Sequence, residues 1–233
     1  MYHQSFEFLT IYLMIIYLIG SIPFGLILTK IFTKTDIRKI GSGNIGATNV
    51  LRTGNKVLAA FTLFLDFLKG FIAISLGEFF MRYFVNCEVY EGVENCESCG
   101  PCTPIDPSHF VIFFGLAGIL GHCFPVWLKF KGGKGVATTF GVLLATVPWA
   151  GFVAVCTWGI VAGFFRYSSL SALCAVAIAP LATFLIYGST PAVITVLIAV
   201  LVIWRHKENI KRLMAGDEPK IFENKDAKPA DTE

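Results

Sequence analysis

The sequence predicts an all-α integral membrane protein of about seven transmembrane helices, with residues 1–216 as a single polytopic domain. Three observations carry that reading. The chain is 55% hydrophobic and only 15% charged, with a mean hydropathy of +0.68, whereas a soluble domain carries about 25% charge. Several apolar runs approach or exceed the ~20 residues that cross a bilayer as a helix. Those runs are continuous, while a barrel would alternate apolar and polar positions along strands of about ten residues. The composition excludes a disordered chain, a coiled coil and an ordinary cytosolic globule.

Each span is justified in turn. Residues 9–29 form the first. They are too long for a cleaved signal peptide and lack a basic residue at their start. Residues 57–81 form the second and 109–128 the third. At 136–165 lie thirty mostly apolar residues with Pro148 near the middle. Two helices of about fifteen residues would each reach only ~22 Å. A hairpin turning at Pro148-Trp149, with an interfacial aromatic, is still preferred to one long tilted span. The sixth span is 170–187, Gly188-Ser189-Thr190-Pro191 turns the chain, and 192–204 is the seventh. Residues 217–233 are rich in Glu, Lys, Asp, Pro and Ala and read as a disordered cytoplasmic tail.

The basic residues orient the bundle. Lys30, Lys34, Arg38, Lys39, Arg52 and Lys56 follow the first span. Lys129, Lys131 and Lys134 follow the third, and Arg166, Arg205, Lys207, Lys211 and Arg212 lie in later connections and the tail. The positive-inside rule places these segments in the cytoplasm, which puts the N-terminus outside and the C-terminus inside. The acidic 82–108 insertion then lies outside. It holds Cys87, Cys96, Cys99 and Cys102, which could form disulfides in one of three pairings or a four-thiolate metal site. Cys123, Cys156 and Cys174 sit singly in apolar runs as small hydrophobes.

Three motifs gather on the cytoplasmic side. The first, Gly41-Ser42-Gly43-Asn44-Ile45-Gly46-Ala47-Thr48-Asn49-Val50-Leu51-Arg52, is rich in glycine and hydroxyl or amide side chains. Glycines let backbone N–H groups approach an anion, and Arg52 can fork onto a phosphate. The second is Gly132-Gly133-Lys134-Gly135, directly before a helical run. It offers a helix N-terminus and a lysine to a phosphate. It lacks the spacing of a nucleotide-binding Walker loop. In the third, Arg205-His206-Lys207-Glu208-Asn209-Ile210-Lys211-Arg212, a helix continuing the last span puts His206, Asn209 and Arg212 on one face. His206 could take a proton from a hydroxyl. Asp66 and Lys69 lie three apart inside the second span, either as an ion pair holding helices in register or as catalytic groups. Ser168, Ser169 and Ser171 add a fourth polar edge. Together these loops fit a site that holds two anionic groups at the membrane interface.

These residues resemble the bacterial membrane glycerol-3-phosphate acyltransferases that use acyl phosphate, the PlsY family. The resemblance rests on Ser-Gly-Asn-x-Gly-Ala-Thr-Asn-x-x-Arg at 42–52, Gly-Gly-Lys-Gly at 132–135 and His-x-x-Asn at 206–209. Gly20-Ser21-Ile22-Pro23-Phe24 and Asp66-Phe67-Leu68-Lys69-Gly70 add to it. It implies a seven-helix fold in the bacterial cytoplasmic (inner) membrane, with the site on the cytoplasmic face. It further implies transfer of a fatty acyl group from acyl phosphate to the sn-1 hydroxyl of glycerol 3-phosphate, giving lysophosphatidate and phosphate, the first acylation of phospholipid synthesis.

By that resemblance Ser42, Arg52, His206 and Asn209 are the activity residues. Gly43, Asn44, Gly46, Thr48, Asn49, Gly132, Gly133, Lys134, Gly135 and Ser171 would bind substrate or phosphate. Glu218, Asp66 and Lys69 would be structural. No cofactor or metal is implied. The partners are acyl phosphate, glycerol 3-phosphate and membrane lipid, with no nucleic acid and no obligate protein. The proton acceptor is either His206 or the substrate's own phosphate. A His-x-x-x-x-Asp acyltransferase mechanism does not fit, because the residues five positions after the four histidines are Phe8, Phe114, Trp127 and Lys211. A small transporter of anionic solutes is the competing reading; it would show further midplane charges and internal repeats.

Overall fold

The computed structural model describes residues 2–82 and 108–221. The 82–108 insertion, but for its two end residues, lies outside the described residues, as does the tail beyond 221, so the cysteine expectations are not addressed. All regular structure among the described residues is helical. The chain runs α1 (Tyr2–Gly20), α2 (Phe24–Phe32), α3 (Ala47–Leu51), α4 (Lys56–Phe80), α5 (Ser108–Cys123) and α6 (Val136–Thr146). It continues through α7 (Pro148–Phe165), α8 (Ser168–Tyr187), α9 (Ser189–Arg205) and α10 (Lys207–Ala215).

Five segments are long and apolar enough to cross a membrane, or six when α9 and α10 are joined. The expected first span is broken. Ser21 and Pro23 interrupt it, since proline supplies no N–H to continue the ladder, and α1 and α2 follow as two pieces of the segment Glu7–Phe32. The run at 136–165 does split before Pro148, but unevenly, into an eleven-residue α6 and an eighteen-residue α7. At 1.5 Å per residue α6 is only ~16 Å long, shorter than a span.

Small residues set the helix packing. α4 and α6 approach so closely that a Cβ on Gly70 would lie 2.2 Å from the Thr138 carbonyl, and one on Gly141 2.1 Å from that of Phe67. Glycines at such crossings let backbones touch where lipid supplies no hydrophobic drive between helices. Ile74, Ile112, Ile119, Val142, Val176, Ile198 and Val202 form the central core, joining α4, α5, α6, α8 and α9. Large apolar side chains such as Phe61, Phe64, Phe152, Phe164 and Leu185 face outward, as a lipid-facing surface requires. This scaffold brings the loop before α3, the start of α6, the start of α8 and the α9–α10 junction to one end of the bundle.

Candidate active site

The first motif folds around one side chain. Asn49 is 2% exposed. Its Nδ2 donates toward the carbonyls of Ile37, Ile40 and Asn44 at 3.0, 2.9 and 2.8 Å, and its Oδ1 accepts from the Ser42 N–H at 3.1 Å. Asn49, expected to bind substrate, thus spends its amide winding the 37–46 loop. Gly41 and Gly43 take the turn at positive φ of 55° and 67°. Arg52 packs over Gly41, where a Cβ would meet its Cδ at 3.0 Å. Half-buried against the cavity, Arg52 makes no hydrogen bond or ion pair among the described residues, so its fork is free for an anion.

The second motif is pinned rather than open. The N–H of Gly132 donates to the Cys123 carbonyl at 3.2 Å and that of Gly133 to the His122 carbonyl at 3.0 Å. The N–H groups of these two glycines thus face the end of α5, while Gly132 lines the outer cavity beside Lys134. The amides of Ser42 and Gly43 are likewise used, by Asn49 and by the Ile40 carbonyl. What remains is Lys134 and the N-terminus of α6, where Gly135 at φ +85° opens the helix. There Val136, Ala137 and Thr138 lack intrahelical carbonyls to bond.

The third motif does not continue the last span. The chain bends by 59° between α9 and α10, with His206 at the joint. His206, Asn209 and Arg212 nevertheless converge on the same site. His206 is 2% exposed, and its Nδ1 lies 2.7 Å from the Val202 carbonyl. A carbonyl only accepts, so Nδ1 carries the proton and Nε2 keeps its lone pair. Burial pushes the His206 pKa down to about 4, helped by the Lys134 charge. Asn209 links the motifs: Lys134 Nζ donates to its Oδ1 at 2.5 Å, and its Nδ2 donates to Glu218 Oε1 at 2.6 Å. Arg212 Nε closes the chain on Glu218 Oε2 at 2.7 Å. Burial would raise the Glu218 pKa, but Ser169, Asn209 and Arg212 beside it hold it below the usual carboxylate range.

Glu218 is 7% exposed, and the Ile221 N–H bonds the Arg166 carbonyl at 2.7 Å. Residues 217–221, expected within a disordered tail, are thus packed across the site.

These groups surround two adjoining cavities of about 290 and 310 Å³. Ser42, Asn44, Lys134 and Asn209 line both. The outer has Arg205, Lys207, Glu208 and Arg212 around it, with Gly43, Gly132 and the apolar Trp204 between them. The inner holds Gly46, Thr48, Arg52 and His206, and its apolar wall comes from Leu63, Phe140, Val155 and Trp158 of α4, α6 and α7. Among the described residues no three His, Cys, Asp or Glu side chains gather closely enough to share a metal.

A family model for glycerol-3-phosphate acyltransferases matches residues 10–216. The chain belongs to this family. It is 50% identical over 210 residues to the glycerol-3-phosphate acyltransferase of Sinorhizobium medicae strain WSM419, covering 89% of each chain. It is 46% identical over 205 residues to that of Agrobacterium fabrum strain C58, covering 88% of each. Two solved structures of PlsY (YgiH), an integral membrane glycerol 3-phosphate acyltransferase, are also similar. The glycerol 3-phosphate form has a TM-score of 0.74 at 36% identity, covering 91% of this chain and 94% of that one. The lysophosphatidic acid form has a TM-score of 0.72 at 35% identity, covering 92% and 95%.

Set beside the family's three motifs, some residues were missed. Ser171 does not line either cavity; it is fully buried, and its Oγ bonds the Tyr167 carbonyl at 2.7 Å. Ser168 and Ser169 line the inner cavity instead, and Ser168 Oγ meets Thr48 Oγ1 at 3.1 Å. The Asp66–Lys69 ion pair is present at 2.8 Å, and His122 joins it with Nδ1 3.5 Å from Asp66 Oδ1. Lys69 also donates to the Ile22 carbonyl at 3.1 Å, beside the break in the first span. Asp66 and His122 reach the floor of the inner cavity. A carboxylate and an imidazole 56 positions apart leave no spacing signal in the sequence.

Proposed function

We propose that this acyltransferase moves a fatty acyl group from acyl phosphate to the sn-1 hydroxyl of glycerol 3-phosphate, at the cytoplasmic face of the bacterial inner membrane. The observation that carries the reading is the inner cavity. It joins Arg52, which has no hydrogen-bond or ion-pair partner among the described residues, and a half-buried Lys134 to an apolar wall built from membrane-embedded helices. One substrate with a phosphate head and a hydrocarbon tail suits that division, and a second phosphate ester suits the outer cavity with its Lys134, Arg205, Lys207 and Arg212.

Acyl phosphate is an activated mixed anhydride, so the demand on the protein is proximity and charge screening. Arg52 forks onto one phosphate. Lys134 and the N-terminus of α6 face the other. Ser42, shared by both cavities, sits between them as a hydroxyl donor. The sn-1 oxygen attacks the acyl carbonyl carbon, the bond from that carbon to the phosphate oxygen breaks, and phosphate leaves. Nε2 of His206 accepts the hydrogen bond that orients the attacking hydroxyl. With a pKa of about 4, the imidazole is a weaker base than a phosphate monoester, whose second pKa is about 6. The proton therefore ends on phosphate. Asn209 and Glu218 hold Lys134 and Arg212 in place. Seven membrane segments, the short α6 counted as one of them, with the N-terminus outside, one domain over 1–216 and an external 82–108 insertion complete the proposal; the basic residues beside the site support that orientation.

The test is turnover by purified protein in lipid or detergent with glycerol 3-phosphate and, separately, acyl phosphate, acyl-CoA or acyl carrier protein as donor. Lysophosphatidate and phosphate should form with acyl phosphate alone and be lost in Arg52→Ala and His206→Ala. A folded sample inactive with every donor overturns the reading.

A further inference from the structure

Arg205 lines the outer cavity but has been given no role there, and its guanidinium bonds the backbone of the second motif. Its Nε lies 3.1 Å from the Gly133 carbonyl, and its Nη2 lies 3.0 Å from the carbonyls of both Gly132 and Gly133. The guanidinium carbon sits 5.1 Å from the Phe124 ring centre and 6.0 Å from that of Trp204. Phe124 is itself held, its carbonyl accepting from the Tyr17 hydroxyl at 2.5 Å. Arg205 has no carboxylate partner among the described residues, so an ion pair does not explain its position.

The same two peptides are gripped on their other edge, where their N–H groups bond the Cys123 and His122 carbonyls. Both glycines are also walled in. A Cβ would lie 2.2 Å from Pro125 Cδ at Gly132 and 2.0 Å from His122 Nε2 at Gly133. With amides tied on one side and carbonyls on the other, the loop has one placement, and Lys134 follows directly from it.

We propose that Arg205 is a positioning residue for the acyl transfer, clamping the Gly132 and Gly133 carbonyls so that Lys134 meets its phosphate. The proposal rests on the acyl-phosphate reading above. The role needs a planar fork that reaches two carbonyls at once while stacking on an aromatic ring, which a lysine ammonium does not supply. Charge alone, whether for membrane orientation or for attracting anions, would be served equally well by lysine.

The experiment compares wild type, Arg205→Lys and Arg205→Ala for turnover, with millimolar guanidinium or methylammonium added to the alanine variant. Amide hydrogen exchange at Gly132 and Gly133 is followed in the same samples. Both variants should raise the KM for glycerol 3-phosphate tenfold or more, with a smaller change in kcat and with faster exchange at both glycines. Guanidinium, but not methylammonium, should restore the alanine variant on both readouts. Wild-type kinetics in Arg205→Lys, or wild-type exchange in Arg205→Ala, overturns the proposal. So does a loss that guanidinium and methylammonium relieve equally. Wild type that is inactive with acyl phosphate sinks the acyl-transfer reading instead, and the exchange arm alone then decides whether Arg205 clamps the loop.

Discussion

Replacing Gly133 by alanine tests the idea that the glycine-rich loop acts through a fixed position. The added Cβ would stand 2.0 Å from His122 Nε2 and 2.8 Å from its Cε1, whereas ordinary contact begins near 3.4 Å. The shortfall is about 1.4 Å. His122 is 5% exposed and faces Asp66 at 3.5 Å, so its ring cannot swing away freely. Most of the displacement falls on the loop and on Lys134 beside it. A misplacement of about 1 Å at a reacting site costs roughly 100-fold in rate, or about 2.7 kcal/mol of barrier. The expected outcome is therefore a drop of about 100-fold in kcat/KM for glycerol 3-phosphate, read by lysophosphatidate formation at saturating acyl phosphate. Gly159→Ala is the matched control, since a Cβ there meets nothing within 4 Å; it should retain wild-type kinetics. Unchanged kcat/KM in a folded Gly133→Ala protein would refute the reasoning, because the collision is unavoidable without movement.

Three further outcomes are expected. Arg52 makes no hydrogen bond or ion pair among the described residues, so Arg52→Ala should leave the melting temperature nearly unchanged; it should still lower kcat/KM about 100-fold or more, since each charged hydrogen bond of its fork contributes ~1.5–3 kcal/mol. Burial holds the Lys134 pKa down to about 8, opposed by Glu218 and helped by Arg212 and Arg52. Below that value the ammonium is charged; above it kcat/KM for glycerol 3-phosphate should fall tenfold per pH unit. kcat should persist to higher pH, because a bound phosphate favours the charged form, and Lys134→Arg should abolish the alkaline limb of kcat/KM. Lys69→Met strands Asp66 as a buried charge and should destabilise the protein by about 3–5 kcal/mol. Adding Asp66→Asn should recover part of that loss in thermal unfolding, and a double variant no more stable than Lys69→Met would contradict the pairing.

The spans and the gathering of three motifs at one end of the bundle were legible because both are one-dimensional signals. Apolar runs of bilayer length and basic residues between them need no tertiary information, and the split before Pro148 follows from proline chemistry. Hydrogen-bond use was not legible in the same way. A glycine-rich string looks equally able to cradle an anion whether its amides are free or, as at Gly132 and Gly133, already taken by the end of α5. Asn49 was expected to bind substrate as a member of the first motif; only the fold shows four backbone groups around its amide. The bend at His206 was hidden for a related reason. His206 and Asn209 share a helix face at spacing three whether or not the axis turns between them. Ser171 shares a helix face with Ser168 at spacing three, but it lies one turn further along α8, fully buried with its hydroxyl on the Tyr167 carbonyl, and nothing in the spacing shows that.

Ser42, Asn44, Lys134 and Asn209 stand as a partition with one cavity on each side. For the proposed reaction this makes the protein a meeting point between two kinds of concentration. Glycerol 3-phosphate is counted in molarity, per volume of cytosol. The acyl donor is counted as a mole fraction, per area of bilayer. Adding inert lipid at fixed total donor should therefore slow turnover by surface dilution while leaving dependence on the soluble substrate untouched. The rate then registers how crowded the bilayer is with activated chains.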